Sequence, residues 1–182
     1  LSETRGAIID GMVLRDQFII YKRTSCYAVD YVAGNNVFSN RLLFAEVGLL
    51  ARNCVAEVYG EHYIITAGDI VKHDGFKVTS IANDTIRKII FDQIDPETYN
   101  TSFVTWNPFT QAVWFCYPLT GSRFPNTALT YSTVTNVWGI RDLDEESPCV
   151  RYGFIDEPEF RAYDEQTETY DESSQRYNQT LY

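Results

Sequence analysis

The sequence predicts an all-β fold made of antiparallel, β-propeller-like blades, part of a larger set of them, with one short inserted helix. Three observations carry this. Apolar residues make up 45 % of the 182 residues and aromatics 15 %, with 13 Tyr and 11 Phe against a single Met, a balance that suits strands better than helix bundles. Short apolar runs alternate with turn chemistry through residues 1–141. Three of these runs, FIIY from Phe18, YIIT from Tyr63 and VWFC from Val113, are offset by 45 and 50 residues, which matches the ~40–50 residues over which four-stranded blades recur. A plain β-sandwich would give its strands a cleaner polar face.

The elements follow in order. Residues 17–21 and 26–32 read as a hairpin across the polar turn 22–25, closed by Gly34-Asn35-Asn36. Runs at 54–58, 62–66, 70–73 and 76–81 come next, separated by turns at Tyr59-Gly60-Glu61, Ala67-Gly68-Asp69 and Asp74-Gly75; Asp-Gly between such runs is a strong hairpin signal. Asn83-Asp84 then caps a helix near 84–94 that places Ile86, Ile89, Ile90 and Ile94 on one face and ends just before Pro96. A third unit starts at 102–106, turns at Asn107-Pro108, returns at 112–117 and continues through 128–131 and 137–140. Ala112 to Tyr117 is apolar throughout, so it reads as the inner strand of a blade, covered on both sides, with Trp106 and Trp114 as packing residues.

Charge divides the chain at Arg141. Residues 1–141 hold 13 acidic and 12 basic side chains, whereas 142–182 hold 12 acidic and 3 basic, so nearly all of the net −10 belongs to an acidic C-terminal arm. A near-neutral body without a basic stripe argues against a nucleic-acid-binding domain, which needs clustered Lys and Arg. The arm repeats every seven residues, as YDEQTET, YDESSQR and YNQTLY, which marks Tyr163, Tyr170 and Tyr177 as candidate partner contacts. Its polar composition equally fits a solvated segment. The chain opens on Leu1 rather than Met and is read as a fragment or processed chain. No run approaches the ~20 apolar residues of a membrane helix, and no membrane partner is expected.

Chemistry is hard to find. Cys26, Cys54, Cys116 and Cys149 are widely spaced without CxxC pairing and read as buried core thiols rather than a disulfide or zinc framework. His62 and His73 have no partner at metal-ligand spacing and read as structural; no cofactor is implied. Nucleophile-elbow, Walker, Rossmann and HExxH signatures are absent. Asp69, Asp74 and Asp84 are the candidate acids for a propeller glycosidase, but the first two sit in turns where Asp serves the backbone. The Asn83, Asn100 and Asn178 sequons read as chance matches. The chain is therefore expected not to be an enzyme.

The order IIDGMVLRDQFIIYKRTSCYAVDYV, FAEVGLLARNCVAEVYGEHYIITAGDIVKHDG, TIRKIIFDQID, WNPFTQAVWFCYP and ALTYSTVTNVWGIRDL, spanning about residues 6–143, resembles structural proteins of tailed bacteriophages that build the β-propeller of the tail nozzle or neck. The resemblance implies a virion protein, made in the host cytoplasm, that forms a ring with copies of itself. It would contact adjacent tail and adaptor proteins and pass DNA through its centre without sequence-specific binding. Chains of that family are longer, and the acidic arm has no counterpart in them. The alternative expectation is a receptor-binding or host-surface adhesion module of a phage tail, with loop aromatics such as Tyr99, Phe109 and Phe124 as the contact surface.

Overall fold

A computed structural model describes residues 4–32 and 37–143, all within one compact unit, Leu1–Arg151. Among the described residues, twelve strands form three four-stranded antiparallel sheets, each a meander in chain order. The first holds β1 (Ile8–Leu14), β2 (Gln17–Lys22), β3 (Cys26–Tyr31) and β4 (Phe38–Phe44). The second holds β5 (Val55–Val58), β6 (Glu61–Ile65), β7 (Ile70–His73) and β8 (Val78–Ser80). The third holds β9 (Phe103–Asn107), β10 (Ala112–Tyr117), β11 (Thr127–Ser132) and β12 (Trp138–Asp142). Helix α1 (Asp84–Gln93) and a single 3₁₀ turn, Tyr99–Thr101, link the second sheet to the third, and the sheets do not close into a barrel.

The sheets stack face to face with the second in the middle. Side chains alternate between faces along a strand, so His62 and Ile64 of β6 share one face with Val71 and His73 of β7, their register partners. That face meets the first sheet through Tyr21. Tyr63 and Ile65 point the other way, where Tyr63 packs 6.1 Å from Tyr131 of β11. First strands lie closest between sheets: β1 contacts β5, and β5 contacts β9. One core runs through all three layers, from Ile19 and Tyr21 through Ile64 and Ile65 to Phe115 and Leu129.

Helix α1 forms where the sequence places it. The Asn83 side chain accepts the Ile86 N–H at 2.9 Å, Ile86 and Ile90 are buried, and Pro96 follows the Ile94 cap. The predicted hairpins and turns form as well, and two strands that the sequence does not announce, β1 and β4, flank the first of them. Asp10-Gly11 obscures β1 in the sequence, its register shifts between Ile8 and Asp10, and the Phe18 ring lies across Gly11, where a Cβ would fall 2.5 Å from Phe18 Cζ and displace that ring. Strand β4 is an exposed edge whose Ser39, Asn40 and Arg41 carry no apolar alternation.

Two further expectations are corrected. The stretch Ala112–Tyr117 is an interior strand of its sheet, paired to β9 and β11 and largely buried on both faces, while β9 is the strand that approaches the neighbouring sheet. Its two faces do serve different cores. Val113, Phe115 and Tyr117 join the main core, while Trp114 and Cys116 face away from the second sheet and pack with Phe103 and Ala128. Trp114 therefore lies between no two of the described sheets; the Arg141 guanidinium sits 5.7 Å above its ring. The 45-residue offset is one residue out by face, since Phe18 and Val113 share a sense but Tyr63 has the opposite one and His62 is the true equivalent. A single-residue slip inverts every side chain.

Cys26, Cys54 and Cys116 are buried, as expected, and burial pushes the Cys26 thiol up to about 12; Cys149 lies outside the described residues.

Candidate assembly surface

Alternation of strand direction sends the turns β1–β2, β3–β4, β5–β6, β7–β8, β9–β10 and β11–β12 to one end of their sheets and every other connection to the opposite end. Contacts between turns bring the three sheets to a common end. A Cβ on Gly60 would approach Arg15 Nε at 3.1 Å, and one on Gly75 would lie 3.4 Å from Leu14 Cδ2. The Tyr59 ring meets Trp106 edge-on at 5.6 Å, and Thr133 donates its N–H to the Gln111 carbonyl at 3.1 Å.

This turn end carries exposed apolar side chains. Tyr59, Phe76 and Phe109 are 77, 79 and 84 % exposed, and Val134 and Val137 lie exposed in the β11–β12 turn. The backbone explains how they are displayed. Tyr59 (φ 51°) and Gly60 (φ 80°) are both left-handed, the geometry of a two-residue type I′ hairpin that favours Asn-Gly. A tyrosine in that position is unfavourable by about 1–2 kcal/mol relative to ordinary backbone. Asp74 Oδ1 accepts the N–H groups of Phe76 and Lys77, both at 2.9 Å, and Asn107 Oδ1 accepts those of Phe109 and Thr110. Each turn meets its own backbone needs locally and leaves its apolar side chain to solvent.

A second apolar surface lies on the face of the first sheet turned away from the second. Val13, Phe18, Tyr31, Phe38 and Leu42 are exposed there, with Tyr31 and Phe38 edge-on at 6.1 Å. The same-sense faces of the second and third sheets are buried against the sheet before them. Thr4 covers one end of this face, where its carbonyl accepts from Lys22 Nζ and its hydroxyl meets that of the buried Tyr27; the rest is exposed among the described residues.

The opposite end is polar and tied together. Asp95 is buried and accepts backbone N–H groups from Gly121 at 2.6 Å, Glu97 at 2.7 Å and Thr98 at 3.2 Å. Those bonds, that to Gly121 foremost, hold its carboxyl below the usual range. Asn126 accepts the Leu119 N–H and donates to Ser122 Oγ. Arg87 bridges Asp69 (2.9 Å) and Asp84 (2.8 Å) and also reaches Ser80.

The candidate residues distribute as follows. Tyr163, Tyr170 and Tyr177 lie outside the described residues. Phe109 is on the turn end, whereas Phe124, with Arg123 over its ring, and Tyr99, beneath Arg23, are at the polar end, so these three aromatics do not form one surface. Asp69 and Asp84 share the Arg87 guanidinium, and Asp74 organises its turn. Among the described residues no group of three or more His, Cys, Asp or Glu side chains is placed to hold a metal ion, and no helix is long and apolar enough to cross a membrane. Tyr59, Phe76, Val134 and Val137 were not singled out in the sequence; the available signal was an apolar residue inside or beside a Gly or Asn hairpin turn.

His62 and His73 are brought together by the register of β6 on β7, with ring centroids 5.3 Å apart, and both reach the buried Tyr21 hydroxyl. Burial lowers His62 and pushes His73 down to about 4, with repulsion from His62 adding to the latter. The Tyr21 hydroxyl is raised well above its ordinary value, chiefly by burial.

Comparison with known proteins finds no matching family model and no matching curated protein.

Proposed function

We propose that the chain is a non-catalytic structural subunit of a phage tail or neck, whose sheets act as propeller-like blades and which assembles with copies of itself into a ring around a DNA channel. The observation that carries this reading is the unidirectional stack of three four-stranded meanders. It ends in an apolar face of the same sense as those buried inside it. A second copy covers that face in the proposed ring; contact between two different surfaces of identical subunits closes into rings when the rotation permits. The turn end, with Tyr59, Phe76 and Phe109, is the surface for an adjacent tail or adaptor protein. The net charge of −10 supports passage of DNA without gripping, since it repels phosphates instead of neutralising them. Tyr163, Tyr170 and Tyr177 serve as anchors of the acidic arm on a neighbouring copy.

Negative-stain imaging of the purified full chain tests this: rings of one fixed subunit number are expected, and a monomer at every concentration overturns it. The exposed turn aromatics also favour a second reading, a receptor-binding or adhesion module of a phage tail. Saturable binding of the full chain to host cells, lost on replacing Tyr59, Phe76 and Phe109 with Ser, would carry that reading instead.

A further inference from the structure

We propose that Tyr21, His62 and His73 form an acid-sensitive latch that fastens the first sheet to the second and loosens that interface when the imidazoles take up protons. Donors and acceptors define the protonation of the cluster. The Gly75 N–H donates to His73 Nδ1 at 3.2 Å, so His73 carries its proton on Nε2 and donates it to the Tyr21 hydroxyl oxygen at 2.5 Å. His62 Nε2 lies 2.9 Å from the Val13 carbonyl and donates to it, which leaves Nδ1 to accept the Tyr21 O–H at 2.7 Å. The chain Gly75, His73, Tyr21, His62, Val13 is thus satisfied at every link with both imidazoles neutral. Its three links through Tyr21 and Val13 cross from one sheet to the other.

An added proton has no acceptor in this chain. Protonating His62 Nδ1 makes it a second donor to Tyr21 Oη, and the Tyr21 hydroxyl hydrogen is then left without a buried acceptor. Protonating His73 Nδ1 sets its N–H against the Gly75 N–H. Either change leaves an unsatisfied donor beside a charge in a dry interface. The surroundings offer little compensation. From β2 the cluster sees Tyr21 itself, from β3 the protonated Cys26 thiol, and from the segment at the end of β4 the edge of the Phe44 ring. Glu57 on β5 is exposed and acts on His62 only at a distance. Asp74 acts on His73 from the β7–β8 turn, but its Oδ1 is committed to Phe76 and Lys77, and Arg15 attracts it as well. Val13 of β1 contributes a carbonyl already in use.

Trp106, Trp114 and Trp138 all lie in the third sheet and are the three tryptophans of the chain, so their fluorescence reports on a region apart from the latch. The test is an acid titration of the full chain from pH 8 to 4, with amide exchange, corrected for intrinsic rate, read in β1, β2, β6 and β7. Protection there is expected to fall between pH 6.5 and 4 while tryptophan emission holds. The double variant His62→Asn, His73→Gln keeps one polar atom toward Tyr21 from each side without titrating, and it should retain protection about one pH unit lower. Loss of protection at the same pH in variant and parent overturns the latch. Should the variant fail to fold, imidazole NMR of the parent decides: His73 staying neutral until the interface opens upholds the proposal, and titration near pH 6.5 with the interface closed overturns it.

Discussion

The two ends of the sheets are finished in opposite ways. At the turn end, each hairpin closes on itself: Asp74 and Asn107 satisfy their own turns, and Tyr59-Gly60 uses left-handed backbone. The side chains at the tips are then free for other purposes, and several are apolar and exposed. At the other end, side chains are spent on holding separate segments together: Asp95 gathers three N–H donors and Arg87 ties α1 to the β6–β7 turn. A polar residue bonded into the fold has less capacity left for recognition, and a group of exposed apolar side chains is a candidate contact surface. On this ground stability resides at the polar end and in the core, and the proposed assembly contacts lie at the turn end and on the exposed part of the first sheet's outer face.

The largest effect should come from the polar end. Ile90, on the inward face of α1, is fully buried, and Ile90→Ala is expected to lower stability by about 2–5 kcal/mol in urea titration; a loss under about 1 kcal/mol would mean that the helix is not part of the core. Acid comes next. The unfolded chain binds a proton on His73 near pH 6.5 and the folded chain only near 4, so the contribution is whole above pH 6.5 and is lost as pH falls toward 4. That shift corresponds to about 3 kcal/mol. Asp74 and Asp95, held below 3.8 by their backbone N–H partners, add their own loss only under that pH, so the two windows separate in a urea series. Removing the helix cap with Asn83→Ala should cost about 1 kcal/mol.

The smallest stability effect, and the most informative, belongs to the turn end. Tyr59→Asn relieves left-handed strain while losing the edge contact with Trp106. The two offset, so the unfolding free energy should change by no more than about 1 kcal/mol. The same substitution should weaken capture of the adjacent protein; a large stability loss with capture intact would reverse the division between the ends.

Much of this was legible locally. Asn83 with an apolar face at helical spacing specified α1, and Asp74-Gly75 and Tyr59-Gly60 specified their hairpins. The failures have physical causes. Strand β4 is an exposed edge with little apolar signal, and Asp10-Gly11 breaks the apolar run of β1. FIIY and YIIT share residue types but start on opposite faces of their sheets, because identity of type does not reveal the parity of a strand. The apolar faces of Ala112–Tyr117 place Trp114 between layers, whereas its parity in the pleat turns it away from the second sheet. The histidine pair was invisible because 41 and 52 residues separate Tyr21 from His62 and His73, and only sheet register and stacking bring them together.

The central claim is that the outer face of the first sheet joins copies of the chain. Sedimentation velocity of the full chain beside a Phe18→Ser, Tyr31→Ser, Phe38→Ser variant tests it directly. A closed oligomer of one size is expected for the parent and a monomer that still unfolds cooperatively in urea for the variant. An oligomer that survives these three substitutions, or a parent that sediments as a monomer at every concentration, would contradict the account.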